Sequence, residues 1–460
     1  MSQDLWRKPA HELAALIRAR DVSSREVVDS HLARIEAVNG TVNAVTVTLV
    51  ESARAAADAA DRGEPRGPLH GVPFTVKENI DCTGSATTQG LEAMANALPP
   101  MDAPVVERLK AAGAIPLART NLPEMGLRIA TDNVLRGRTN NPWDLTRTCG
   151  GSSGGEGAAL ACGMTPLGLG NDIGGSLRNP AYCCGIAALK PTTGRIPLAW
   201  SLAPNMGIAF RLMAVEGPMA RSVTDLGLAL SLLAGWHPRD PFSVPAPLHG
   251  PWAPRRAALV TAIPGTSMPD ATVAAIRRAG AVLAAGGWTV EEIEPPELAR
   301  VNEVWGHILA RDVEDMLPVL GRVMSAGAVA SVEGLSRHFD TAALPGTSRF
   351  VERDRLGQAW SAFLADWPVV IGPTWTDVPF VHDADLDPAS GLDTTLSRLR
   401  FITPGNLLGL PAVALPMGVA DGLPTGVQIY AERWREDLCL EAAALVEAAV
   451  GPIAPIDPIT

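Results

Sequence analysis

Residues 150–176 read GGSSGGEGAALACGMTPLGLGNDIGGS, two glycine–serine clusters on either side of an apolar segment. Glycine at this density permits positive φ and close backbone approach, and successive N–H groups in such turns form anion-binding nests. A flexible linker has similar composition, but linkers rarely lead straight into an apolar helix like 157–162. In the second cluster Pro166–Gly170 reads as a short strand, 173–175 as a tight turn, and Ser176 opens the next segment. The N–H groups of 173–176 would then converge beside the serine oxygen. An oxyanion hole needs that arrangement, and one such donor is worth roughly 3–4 kcal/mol of barrier. Taken alone, Gly174 and Gly175 could equally serve only a turn.

Three other readings of the glycines fail on context. No G-x-x-x-x-G-K-[ST] phosphate loop occurs, and the G-x-G at 155–157 meets Leu160 where a dinucleotide fingerprint needs a third small residue. Residues 151–155 match a G-x-S-x-G nucleophile elbow centred on Ser153, which requires a buried strand before it. Residues 143–150, WDLTRTCG, are too polar for a central parallel strand.

Outward from this stretch, residues 71–235 alternate short strands (72–77, 114–118) with helices (103–112, 222–234), the rhythm of an α/β layer structure. Before them, 10–19 and 24–38 read as amphipathic helices, the second capped by Ser23 or Ser24. A strand at 43–48 and an Ala-rich helix at 51–62 follow. Six prolines between 238 and 254 make 236–255 an extended arm, which we expect to join two halves of one sheet. Beyond it come a strand at Leu259–Val260, a helix at 269–285, a strand at 288–293 and a mostly helical 296–366. Strands at 368–371, 412–417 and 425–430 and a helix at about 436–450 close the chain.

Composition narrows the function classes. At 460 residues and 47% hydrophobic, the chain can bury a large core and is not disordered. Its longest apolar runs, such as 226–236, are too short for a membrane span. The polar N-terminus shows no secretory h-region, so a cytoplasmic protein is expected. A net charge of −11 argues against a nucleic-acid groove. The six cysteines form no C-x-x-C pair and read as buried thiols. His382 with Asp383, Asp385 and Asp387 reads as a solvated acidic loop, and no metal is expected.

A serine nucleophile needs a base, and Lys77 ends the apolar strand 72–77. A lysine there usually snorkels to solvent. It becomes a base only if burial brings its pKa from about 10.4 to roughly 7–8.

At this point the chain resembles the amidase signature family of serine hydrolases. The matching pieces are GVPFTVK at 71–77, TNLPE at 120–124, GRTNNPWD at 137–144, GGSSGGE at 150–156 and LGNDIGGSLR at 169–178. CGIAALKPT at 184–192, GPMARSVTDL at 217–226 and NLLGLPA at 406–412 continue the series, while 240–400 matches weakly. The resemblance implies one large α/β/α domain over 1–460, with a mixed, mostly parallel central sheet covered by helices. Within it, 1–62 would be N-terminal helices, 63–235 the catalytic core, 236–400 the arm and a variable substrate-side region, and 401–460 the closing strands and helix.

Carried over, the family's base falls on Lys77, its relay serine after a cis peptide bond on Ser152, and its acyl-forming serine on Ser176. The oxyanion donors fall on Ile173, Gly174, Gly175 and Ser176, and Ser153, Asp172 and Arg178 match supporting positions. Gly126 matches a place whose carbonyl faces the leaving amine. Asn171 stands where Thr is usual, Cys149 where Pro is usual, and Cys183–Cys184 where a lone Cys is common. None of these departures is expected to touch the triad.

The implied activity is hydrolysis of carboxamide C–N bonds through an acyl-enzyme, without cofactor, by a lone chain or a homodimer acting on small molecules. In the loop 198–215, Trp200, Leu202, Met206, Ile208, Phe210 and Met213 could line an apolar pocket. That favours small aryl or alkyl amides, with carbamates (urethanes) and esters as related substrates. The alternative is the amidase-like component of a glutamine-dependent tRNA amidotransferase, which would need partner proteins.

Overall fold

Every residue of Pro73–Lys77 is buried, so this strand has neighbours on both edges and layers on both faces. The computed structural model, which describes residues 4–201 and 207–459, places it inside an eleven-stranded sheet. In chain order the strands are β1 (Val45–Thr48), β2 (Pro73–Lys77), β3 (Ile115–Thr120), β4 (Asn140–Asn141), β5 (Asp144–Thr148), β6 (Leu167–Asp172) and β7 (Ala187–Lys190). They continue as β8 (Val215–Ala220), β9 (Arg256–Leu259), β10 (Thr289–Glu292), β11 (Val369–Pro373), β12 (Ala412–Ala420) and β13 (Leu423–Ala431). The order across the sheet is β1-β3-β2-β6-β8-β7-β12-β13-β11-β9-β10.

The sheet is mixed, as expected. Parallel pairing joins β3, β2 and β6 on one side and β11, β9 and β10 on the other, while the strands between pair antiparallel. The polar segment at β5 pairs with β4 in a separate two-stranded ribbon outside the main sheet, so no central strand precedes Ser153.

Side-chain alternation along the strands builds two cores. Val369 and Ile371 of β11 enter one and Val370 the other. Helices Ala10–Ala19, Pro104–Ala111, Val223–Leu233, Asp270–Ala285 and Glu436–Val450 cover the first face. Helices Ser24–Val42, Val50–Arg62, Gly154–Ala161, Arg178–Cys184 and Leu298–Val323 cover the second. Ser23 caps the second N-terminal helix in a capping box with Glu26, and that helix runs on to Val42, past the expected 38.

The proline-rich arm links Val223–Leu233 to β9, and so one half of the sheet to the other, as its composition suggests. Its buried Asp240 accepts the Leu198 N–H at 2.8 Å and pairs with Arg211, which ties the arm to the loop after β7. No described helix is long and apolar enough to cross a membrane.

Candidate active site

Lys77 closes β2, and its side chain is fully buried at the C-terminal edge of the strand. Its Nζ lies 2.7 Å from Ser152 Oγ and 2.7 Å from Asn171 Oδ1. Burial lowers its pKa from 10.5 to about 7, against the pull of Asp172, Glu156 and Glu216, whose charges favour the ammonium. A substantial fraction of the amine is therefore neutral near pH 7.

The carboxylates around it are held differently. Glu156, in the first turn of Gly154–Ala161, accepts from Thr75 Oγ1 at 2.6 Å and Thr120 Oγ1 at 2.8 Å, and burial raises its pKa to about 7. Glu216 on β8 is buried with neither oxygen partnered among the described residues, and burial pushes its carboxyl well above the usual range.

Ser152 follows a cis Gly151–Ser152 peptide bond, as the resemblance implies. Asn179 brackets the two glycine turns: its Nδ2 donates to Gly151 O at 3.1 Å and to Gly174 O at 3.2 Å. The Ser153 N–H donates to Ser176 O at 3.2 Å and ties the clusters together a second time. Ser153 Oγ turns toward Asn171 O, 3.4 Å away. Gly126, at φ +68°, faces Ser152 so closely that a Cβ there would lie 3.2 Å from its Oγ. Glycine keeps that space open.

Asp172 organises the turn before Ser176. It accepts from the Gly175 N–H at 2.7 Å, the Leu177 N–H at 3.1 Å, Arg178 and Asn406 Nδ2 at 2.8 Å. Although burial opposes it, the charge of Arg178 holds this carboxyl well below its ordinary pKa. The turn needs Gly175, whose φ is +94°.

This geometry corrects one expected role. The Gly175 N–H goes to Asp172 rather than into the site, because a charged carboxylate three residues back outcompetes open space. The N–H groups of Ile173, Gly174 and Ser176 find no acceptor among the described residues. Ser176 Oγ likewise makes no hydrogen bond among them.

A second correction concerns Asn171, expected to leave the triad untouched. It contacts Lys77 directly, because the strand pairing of β2 with β6 sets the two side by side. Cys149, Cys183 and Cys184 lie buried as free thiols, as do the other three cysteines.

Two cavities meet at Ser176 and share Gly126, Leu127 and Ile173. One, of about 390 Å³, is walled by Trp305, Leu309, Val332, Leu335 and Leu399. The other, of about 440 Å³, holds Ser152, Asn79 and Asn171 at its base and Trp200, Phe210 and Met316 on its walls.

Trp200 and Phe210 pack edge to face with centroids 6.3 Å apart. Ile208 is half exposed and Met213 is in the core, so neither lines the cavity as expected. Leu202 and Met206 lie outside the described residues. Trp305, whose Nε1 donates to Ile173 O at 3.1 Å, comes from the region that showed little motif and was missed.

The His382 segment is ion-paired rather than simply solvated. Asp385 binds Arg128, and Asp383 bridges Arg128 and Arg138. No group of metal-ligating side chains occurs among the described residues.

Both partners of the Asp172–Arg178 pair are fully buried, which sets the cost of breaking it. Arg178→Met leaves an uncompensated carboxylate and is expected to destabilise the fold by about 3–5 kcal/mol. Denaturant unfolding of the variant measures this, and an unchanged midpoint would show that the pair does not hold the turn.

Comparison with known proteins agrees over nearly the whole chain. The family model Amidase matches residues 26–440. An indoleacetamide hydrolase from Bradyrhizobium diazoefficiens is 40% identical, over 98% of this chain and 88% of the relative. An acylamidase from Rhodococcus erythropolis is 32% identical, over 97% of this chain and 96% of the relative. The solved structure of 6-aminohexanoate cyclic dimer hydrolase complexed with substrate superposes with a TM-score of 0.84 at 31% identity, covering 99% of both chains.

Proposed function

We propose that this chain, which belongs to the amidase family and is a hydrolase of amide C–N bonds, works through an acyl-enzyme on Ser176 with Ser152 as proton relay and Lys77 as base. The observation that carries this reading is the buried amine of Lys77, 2.7 Å from Ser152 Oγ, beside the turn that presents Ser176.

Neutral Lys77 takes a proton from Ser152 as Ser152 takes one from Ser176, whose Oγ attacks the carbonyl carbon. Negative charge develops on the carbonyl oxygen, facing the N–H groups of Ile173, Gly174 and Ser176. The tetrahedral centre collapses, the C–N bond breaks, and the proton returns through Ser152 to the departing nitrogen. Water then attacks the acyl-enzyme by the same relay and releases the acid. Gly126 lends its carbonyl to the leaving amine, and Ser153, Asp172 and Arg178 hold the turns in place.

The substrates we assign are small aryl or alkyl amides, with carbamates and esters accepted because their carbonyls undergo the same attack. Apolar walls on both cavities support this choice. Ser152 borders the Trp200 cavity and not the Trp305 cavity, so the leaving nitrogen belongs on the side of Trp200 and Phe210, and the acyl group on the other. The enzyme acts in the cytoplasm, where its unpaired thiols are stable. It works as one domain across residues 1–460, alone or as a homodimer, without cofactor or nucleic acid.

A hydrolysis screen of phenylacetamide, its anilide, a phenyl carbamate, a phenyl ester, asparagine and glutamine tests the substrate class. We expect the aryl amides to turn over fastest. Efficient asparagine turnover with silent aryl amides would reject it, and glutaminase activity that needs partner proteins would favour the amidotransferase alternative.

A further inference from the structure

We propose that Asn171 is a positioning residue that turns the Lys77 lone pair onto Ser152, and that Asn79 locks Asn171 in the orientation that does so. The inference rests on the Lys77–Ser152 relay proposed above. Asn171 Oδ1 is 2.7 Å from Lys77 Nζ, and Asn171 Nδ2 donates to Asn79 Oδ1 at 2.9 Å. An amide oxygen only accepts and an amide nitrogen only donates. With its nitrogen held by Asn79, Asn171 presents its carbonyl to the lysine.

That arrangement sorts the bonds of a neutral amine, which has two N–H donors and one lone pair. One N–H must go to Asn171 Oδ1, leaving the lone pair free to accept the Ser152 O–H. A hydroxyl at position 171 could donate as well as accept and would leave this direction open. Once Lys77 takes the proton, the same carbonyl steadies the ammonium, and hydrogen bonds to charged groups are the stronger kind. The Asn171 side chain bonds Lys77 and Asn79 and makes no hydrogen bond to Ser176, so its contribution runs through Lys77.

The other titratable or charged groups facing Lys77 are Glu156 from the helix beneath it, Asp172 at the end of β6, Glu216 on β8 and Arg119 on β3, which donates to the Lys77 carbonyl. None of the three carboxylates makes a hydrogen bond to Nζ. A new carboxylate at position 171 would therefore dominate the field at the amine.

The test uses the full chain, phenylacetic 4-nitroanilide as substrate, and pH profiles of kcat and kcat/KM. Asn171→Leu should lower kcat about 10- to 100-fold with KM little changed, the range expected when a reacting group loses its alignment. Asn171→Thr, which restores an acceptor without fixing the direction of the bond, should recover only part of it.

Asn171→Asp should move the acid limb of kcat/KM upward by about 1–3 pH units, as a carboxylate beside an amine does, with activity returning at high pH. That movement would show that the side chain at 171 faces the amine whose titration sets the limb, and the kcat losses in Asn171→Leu and Asn79→Ala then separate positioning from mere proximity. Asn79→Ala should show a weaker loss in kcat and gives the reading if Asn171→Leu proves too unstable to assay.

An acid limb unmoved in Asn171→Asp, or wild-type kcat in both Asn171→Leu and Asn79→Ala, overturns the inference. Ser176→Ala is measured in parallel. If it stays fully active the serine reading itself falls, whereas its inactivity beside silent Asn171 and Asn79 variants removes only this inference.

Discussion

Ser176→Ala is expected to lower kcat about 10⁴- to 10⁶-fold, the range seen when a nucleophilic serine is removed and only transition-state binding remains. Alanine deletes the hydroxyl of a residue that lines both cavities and stands at the turn whose Ile173, Gly174 and Ser176 N–H groups find no acceptor among the described residues. The backbone at 176 is fixed by the Ser153 N–H bond to its carbonyl, and by the Asp172 bonds to Gly175 and Leu177 on either side. None of these involves the hydroxyl, so the melting temperature should hardly move.

Covalent labelling with a sulfonyl fluoride, read by intact mass and peptide mapping, checks the same claim without a substrate. Wild type should take one label on Ser176 and Ser176→Ala none. Labelling of Ser153 would instead revive the nucleophile elbow that the polar segment before it argues against.

Sequence legibility followed the range of the interaction. The strand ending at Lys77, the helix at 436–450 and the proline-rich arm were readable because periodicity and proline act locally. β8 was not. Its Gly217 and Pro218 read against a central strand, yet it lies between β6 and β7, where burial on both faces outweighs local propensity.

The site divides in the same way. Residue types and spacing, with the family resemblance, pointed to Lys77, Ser152 and Ser176. They could not show that Asp172 takes the Gly175 N–H, since that depends on how the turn closes. The Lys77–Asn171 contact depends on the pairing of β2 with β6, and Trp305 reaches Ile173 from a helix that begins at Leu298. Such contacts between distant segments leave no pattern in the chain.

Lys77→Met should lower kcat/KM about 10²- to 10⁴-fold, the usual worth of a general base, and should change how stability responds to pH. In the folded enzyme burial holds the amine at about 7, while its ordinary value is 10.5. Between those two values the unfolded chain binds a proton that the folded one has lost. Wild-type stability therefore gains from this site as pH rises from 7 to 10.5, by about 1.4 kcal/mol for each pH unit. Below 7 both states are protonated and the penalty of the buried ammonium is constant.

Methionine has no such proton. The gap between the two melting temperatures should therefore move in favour of Lys77→Met as pH falls from 10 to 7, then level off. The catalytic counterpart is an acid limb in wild-type kcat/KM near pH 7, where the lysine gains the proton that disables it. Calorimetric melts at half-unit pH steps, beside the kinetic profile, measure both. Parallel stability curves for the two proteins, with no acid limb between pH 6 and 8, would mean that Lys77 stays charged and that some other group removes the proton from Ser176.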